Sequence, residues 1–426
     1  MNKENQIKVV IICNNINRDF AYQSYLKKEI ERNLKYEVTI IGSIADRQRI
    51  FYLLFKICPD IVILPQVQEE SCREIASYVR KSGGLVCIIP AEITYSSKLN
   101  TSILNKQLEY LNFFDYMFLP GKKMCKDLIS YGFPKSRLFI TGSPKIDILV
   151  GEWKKFKSRK TICHRYNMPL KKKNICIFST FIITPEEYIR KEEAYTGLVD
   201  STVRLSKSIL LLREKYSEAI NKMCIDFPDY NIVLKPHPLE DGDWFATIKS
   251  PNFYIIRNES ANNMMKSIDL LLHWNSTVAT EGWVHGIKTI QYVPIKEHSK
   301  LLCDFHRGNP ICYSYGELHR QITSLIDKPL DKRYIRFQSR YLKEWYGRLD
   351  GKSGERVVTL LTNTYLVKGN NVVVYGRNFS MLYYIFIFLE NVFGSLYSRR
   401  IVSLFIKYQW QYAVDNLVYI PPKTDR

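Results

Sequence analysis

The sequence predicts an α/β protein with two doubly wound, Rossmann-like parallel sheets facing a cleft, followed by a helical C-terminal extension. Three observations carry this. The chain has 426 residues, more than a single core of roughly 250 to 300 residues accommodates. Short β-branched runs alternate with longer helical stretches, as strands joined by crossover helices do. The alternation stops once, at a basic aperiodic stretch, and then restarts.

In order, "KVVIIC", "YEVTII", "DIVILP", "LVCIIP", "YMFLPG" and "LFITGSP" are the strand runs of a first domain over residues 1–150. Gly151 to Asn174 holds nine Lys/Arg and one acid without sustained periodicity, and reads as a linker, 151–174. The pattern resumes with "NICIFST", an amphipathic stretch around Arg204 to Phe227, "YNIVLKPHP", "NFYII", "IDLLLHWNST" and "KTIQYVP", a second domain over 175–330. Residues 331–426 read as a helical extension. Its apolar run, Met381 to Leu389, is too short to span a bilayer, which takes about 20 residues. From Phe379 onward, Tyr, Phe, Ile and Trp interleave with Arg399, Arg400 and Lys407, so the tail is expected to settle on an anionic membrane surface. The plainer reading is a helix packed on the domains.

A content of 46% hydrophobic and 24% charged residues is that of an ordinary globular protein, but the formal charge of +20 points to acidic partners. No nucleic-acid-binding module accompanies that charge, so nucleic acid is not the expected partner. The ten cysteines include no C-x-x-C pair, which argues for reduced thiols and against a zinc site or disulfide framework. The N-terminus lacks the apolar h-region and cleavage site of a signal peptide, and a cytoplasmic protein is expected.

Ligands of doubly wound sheets bind beyond the carboxyl ends of the strands, so the polar residues ending strands are the candidates. In "NIVLKPHPLEDGDW" a strand runs into Lys235, Pro236, His237 and Pro238. The prolines fix the backbone, and Lys235 and His237 are placed to meet a phosphate or to protonate a leaving oxygen. In "DLLLHWNSTVATEGWVHG" Asn275, Ser276 and Thr277 would open a helix whose N–H groups and dipole attract an anion, although a Ser/Asn cap explains the same residues. Glu281, one turn past Thr277, is placed to accept from ribose hydroxyls; alternatively it is a solvated helix acid. His273 reads as a hydrogen-bonded core histidine and His285 as a partner of the helix C-terminus. In the first domain Glu92, Gly121 and Ser143, with Pro144 and Asp147, end strands or open helices, roles that turns and caps also explain. No D-x-D pair follows a strand, since Asp241 and Asp243 lie in a loop, so neither a metal site nor a cofactor is expected.

The order "TGSPKID", "LKPHP", "DLLLHWNSTVATEGWVHGIKTIQYVP" resembles the bacterial surface-polysaccharide transferases of GT-B fold. It looks like the surface carbohydrate biosynthesis proteins related to CDP-glycerol glycerophosphotransferases and to capsule Kdo and polysialic acid transferases. The resemblance covers roughly Phe114 to Pro294. It implies that His237 and Pro238, and Ser276 and Thr277, hold the phosphate and cytidine of a CMP- or CDP-linked donor. Many relatives carry two serines where this chain has Asn275-Ser276-Thr277.

The expected function is transfer of a sugar or polyol phosphate from such a donor to a glycan or lipid-linked glycan acceptor, at the cytoplasmic face of the membrane. Lys235, His237 and the helix start would meet the leaving-group charge, and Glu92 would be the general base of an inverting reaction. A UDP-sugar 2-epimerase-like isomerase and a non-catalytic GT-B scaffold of a glycan assembly complex are the alternatives.

Overall fold

The computed structural model describes residues 6–13, 16–42, 47–66, 70–91, 110–182, 199–238, 240 and 243–368. In chain order the first sheet's elements are β1 (Lys8–Ile12), α1 (Ile16–Leu34), β2 (Glu37–Ile41), α2 (Arg47–Ile57), β3 (Ile61–Leu64), α3 (Glu70–Lys81), β4 (Leu85–Ile88), β5 (Tyr116–Leu119), α4 (Lys122–Ser130), β6 (Leu138–Ile140) and α5 (Pro144–Gly151). There follow α6 (Arg159–Arg165), β7 (Lys173–Phe178), α7 (Val199–Asp226), β8 (Tyr230–Lys235), β9 (Phe253–Ile255), α8 (Ala261–Met264), β10 (Leu270–His273), α9 (Val278–Val284), β11 (Thr289–Tyr292), β12 (Ile311–Cys312), α10 (Tyr315–Leu325), α11 (Lys332–Trp345) and α12 (Ser353–Lys368).

These elements form two compact units. The first holds the described residues up to Asp147 and those from Gly347 onward; the second is Ile148–Tyr346. Each has one six-stranded sheet, in the orders β2-β1-β3-β4-β5-β6 and β12-β11-β10-β7-β8-β9. Every pairing is parallel. Strands such as "IVIL" and "LVCI" are buried at all four positions, as expected where helices cover both faces.

The first unit is closed by its last helix. Val357, Val358 and Leu361 of α12 join the core made by Val9, Ile11, Ile61 and Leu85. The Asp147 carboxylate fastens the start of α12, accepting from the Ser353 hydroxyl and the Gly354 N–H at 2.8 Å each and from the Tyr25 hydroxyl at 3.2 Å. Gly142 lies at φ +88°, and a Cβ there would stand 2.3 Å from Ser353 Oγ, so only glycine fits.

In the second unit Tyr216 of α7 is fully buried and donates to the Tyr292 carbonyl at 2.8 Å, tying helix to sheet inside an aliphatic core. The basic stretch after Gly151 packs within this unit. Ser158 caps α6, Arg159 pairs with Asp269 at 2.5 Å, and Lys157 and Arg165 both reach the buried carboxylate of Glu259. Its charge is therefore partly matched by acids about 100 residues away. All ten cysteines are free thiols. No described helix is long and apolar enough to cross a membrane; the tail from Phe379 lies outside the described residues.

Candidate functional site

Because the second sheet is parallel, its strands all end at one edge. Register places His273 of β10, Phe178 of β7 and Lys235 of β8 side by side. With neighbouring strands about 4.8 Å apart, the ends of β8 and β10 stand about 10 Å apart. A ligand lying over the end of β7 reaches both.

After β8, Lys235 is 6% exposed and its ammonium donates to the carbonyls of Pro236 (3.0 Å) and Arg257 (3.4 Å). Burial lowers its pKa below the ordinary lysine value. Lys235 thus braces the segments leaving β8 and β9. His237 follows, half-buried, with Pro238 exposed beside it. A buried carboxylate that sequence reading passed over fixes this loop. Glu240 accepts from the Ser179 hydroxyl at 2.9 Å, the Phe181 N–H at 2.7 Å and the Trp244 indole N–H at 3.2 Å. It therefore ties the loop after β8 to the one after β7. The Arg213 guanidinium donates to the Phe181 carbonyl at 2.6 Å from the other side.

After β10 the chain turns around His273, which is fully buried and is the hydrogen-bonded core histidine expected. Its Nδ1 accepts from the Ser276 N–H at 3.3 Å, so Nε2 carries the proton and donates to Asn309 Oδ1 at 3.5 Å. Asn309 Oδ1 also accepts from the Thr289 hydroxyl, whose oxygen accepts from the Trp283 indole at 2.8 Å. Asn275 Oδ1 accepts from the Cys303 N–H at 3.0 Å and holds the following loop.

One expectation for this turn is corrected. The main-chain N–H groups at the start of α9 are already engaged: Val278 with Ser276 Oγ (3.4 Å), Ala279 with the Ser276 carbonyl, and Thr280 and Glu281 with the Thr277 carbonyl. The chain winds tightly from Ser276, which consumes those donors. Nor is Glu281 a solvated helix acid, being 5% exposed. His285 caps the C-terminus of α9 and stacks on Trp153 with ring centres 3.7 Å apart.

Lys235, His237, Pro238, Asn275, Ser276, Thr277 and Glu281 thus gather at or just beyond the ends of β8 and β10. Gly121 and Ser143 belong to the first unit. There Gly121 precedes α4 in extended conformation, and the Ser143 carbonyl accepts from the N–H groups of Ile146 (2.9 Å) and Asp147 (3.1 Å). Glu92 lies outside the described residues. At the second sheet's edge four buried polar atoms have no partner among the described residues: Thr180 Oγ1, Trp274 Nε1, Gln291 Oε1 and His298 Nδ1. Such orphans are rare in folded proteins and mark places where a ligand or water completes the bonding. Among the described residues no group of three His, Cys, Asp or Glu is gathered as a metal site requires.

Two units, each a six-stranded parallel sheet, define a GT-B-like fold. No family sequence model and no curated protein sequence matches the chain. Solved structures do match in fold. The wall teichoic acid polymerase TagF, soaked with CDPG, superposes with a TM-score of 0.56 at 12% identity, over 85% of this chain and 90% of its own. UDP-GlcNAc 2-epimerase from Neisseria meningitidis, bound to UDP-GlcNAc, gives 0.57 at 14% identity, over 84% and 100%. MnaA from S. aureus with UDP gives 0.57 at 14%, over 85% and 97%. At these identities the likeness is one of fold.

Proposed function

We propose that the protein is a transferase that takes a sugar or polyol phosphate from a cytidine-activated donor, CMP- or CDP-linked, and passes it to a surface glycan acceptor. The observation that carries this reading is the pairing, on one sheet edge, of His237 after β8 with Ser276 and Thr277 after β10, near buried polar atoms that lack partners among the described residues. Ser276 Oγ accepts from the Val278 N–H, which polarises its own O–H toward an anion. The two hydroxyls then hold the phosphate. His237 donates to the leaving oxygen, supplying electrostatic stabilisation without a metal ion. Glu281 accepts from the donor ribose, and Glu92 is the proposed base. Likeness in fold to a teichoic acid polymerase supports the transferase reading; likeness to a UDP-GlcNAc 2-epimerase supports an isomerase as the second reading.

A thermal-shift panel of CMP, CDP, UDP and GDP distinguishes them. A nucleotide at a hundredfold excess over its Kd stabilises by about 2.7 kcal/mol. Cytidine nucleotides should raise the melting temperature most, and Ser276→Ala with Thr277→Val should abolish the effect. A response to UDP alone would replace the transferase by the isomerase, and no response to any nucleotide would remove both.

A further inference from the structure

A second basic feature lies away from the ends of β8 and β10, on the β12 side of the second sheet. It is a cavity of about 850 Å³ between α11 and the segment leading into β12. Arg333, Arg336 and Arg340 line one wall and Arg307 belongs to the other. Positions i, i+3 and i+7 share one face of a helix, so α11 presents a row of guanidinium groups about 10 Å long. The opposite face of α11 explains why the row points outward: Gln338, Tyr341, Leu342 and Trp345 are buried.

Charge is left over in this cavity. Among the described residues no carboxylate lines it, and Arg307, Arg336 and Arg340 have no acidic partner; Arg333 alone approaches one, Asp331, at 3.5 Å. Like charges at these spacings destabilise a helix, so the row costs stability unless something anionic offsets it. Two of the groups also lie over aromatic rings, Arg333 with its guanidinium carbon 4.6 Å from the centre of the Tyr334 ring and Arg340 5.6 Å from that of Phe337. Contact with a ring restrains a guanidinium while leaving N–H donors for bidentate contact with phosphate oxygens.

We infer that this cavity binds a ligand bearing several phosphate groups in a row, with Arg307, Arg336 and Arg340 as its principal contacts. A single phosphate would leave most of the row unmatched. The site is separate from the proposed nucleotide site and does not depend on it. The two touch through one residue: Asn309 lines the cavity and also accepts from the His273 ring that sets the Ser276 turn.

The test uses the full-length protein and its Arg336→Gln/Arg340→Gln variant, with two probes that separate a soluble ligand from a lipid headgroup. Inorganic tripolyphosphate is titrated calorimetrically, and vesicles containing cardiolipin, whose headgroup carries two phosphates, are used in flotation. Both substitutions are at exposed positions, and an unchanged melting temperature confirms the fold. At least one probe should bind the wild type, more weakly at high salt, and lose about tenfold or more in the variant. Loss with tripolyphosphate alone identifies a soluble ligand; loss with vesicles alone identifies a headgroup. Binding of neither probe to the wild type, or equal binding of both proteins, overturns the inference. CMP and CDP affinities, measured on the same samples, report on the nucleotide site independently.

Discussion

Replacing His273 by Gln should flatten part of the protein's acid sensitivity. In the folded protein burial drives the ring's pKa down from the ordinary 6.5 to about 4, against a small opposing effect of its bond to Asn309. The geometry shows why: a proton on Nδ1 would point at the Ser276 N–H, donor against donor, inside a fully buried network. Above pH 6.5 the ring is neutral in both states and contributes no pH dependence. Between pH 6.5 and about 4 the unfolded chain binds a proton that the folded chain does not, so stability falls as pH falls; below about 4 both are charged and the effect levels off. At roughly 1.4 kcal/mol per pH unit, His273 alone should remove roughly 2 to 3 kcal/mol between about pH 7 and about pH 4.5. Glutamine does not titrate, and whatever it costs in packing is the same at both pH values. Urea unfolding followed by tryptophan fluorescence is suited to the comparison, since the five described tryptophans, 153, 244, 274, 283 and 345, all belong to the second unit. If wild type and His273→Gln lose equal stability between the two pH values, the buried neutral imidazole is refuted.

Three further outcomes follow from named contacts. Glu240→Gln turns an acceptor toward Ser179 or Trp244 into a donor and should cost roughly 2 kcal/mol; an unchanged fluorescence melting curve would count against the clamp. Asp147→Ala strips three hydrogen bonds from the start of α12 and should cost about 3 kcal/mol, seen as faster amide exchange over Ser353–Leu361; unaltered exchange there contradicts it. Gly142→Ala meets both a positive φ and the Ser353 hydroxyl, and should destabilise the first unit by at least about 1 kcal/mol, read by urea unfolding.

Much of this architecture was legible because parallel sheets write themselves plainly. Runs such as "IVIL" and "LLLH" are apolar at nearly every position, and the polar residues that end them, Lys235, His237 and Ser276, stand out by contrast. What escaped notice depends on pairs distant in the chain. Glu240 sits among Asp241 and Asp243 in a segment that looks uniformly solvated; only the fold shows its carboxylate buried against Ser179, 61 residues earlier. Thr180 and His298 look like ordinary loop residues until the ends of β7 and β11 lie on one edge. The basic stretch around Arg159 read as a linker because its partners Glu259 and Asp269 are about 100 residues downstream. Lys235 illustrates the opposite case: its position was visible, yet its engagement with the Pro236 and Arg257 carbonyls was not.

The return of α12 to the first unit has a consequence for how the protein is made. Asp147 and Ser353 are 206 residues apart, and the whole second unit is synthesised between them. At roughly 5 to 20 residues per second, the first sheet therefore waits roughly 10 to 40 s on the ribosome before the helix that covers Val9 and Ile11 exists. The second unit's described residues all lie within one stretch of chain, Ile148 to Tyr346. Its fold can close first, reversing the usual order in which the earlier domain is finished before the later one begins. During that interval the unfinished apolar face of the first sheet is the surface a nascent-chain chaperone would hold.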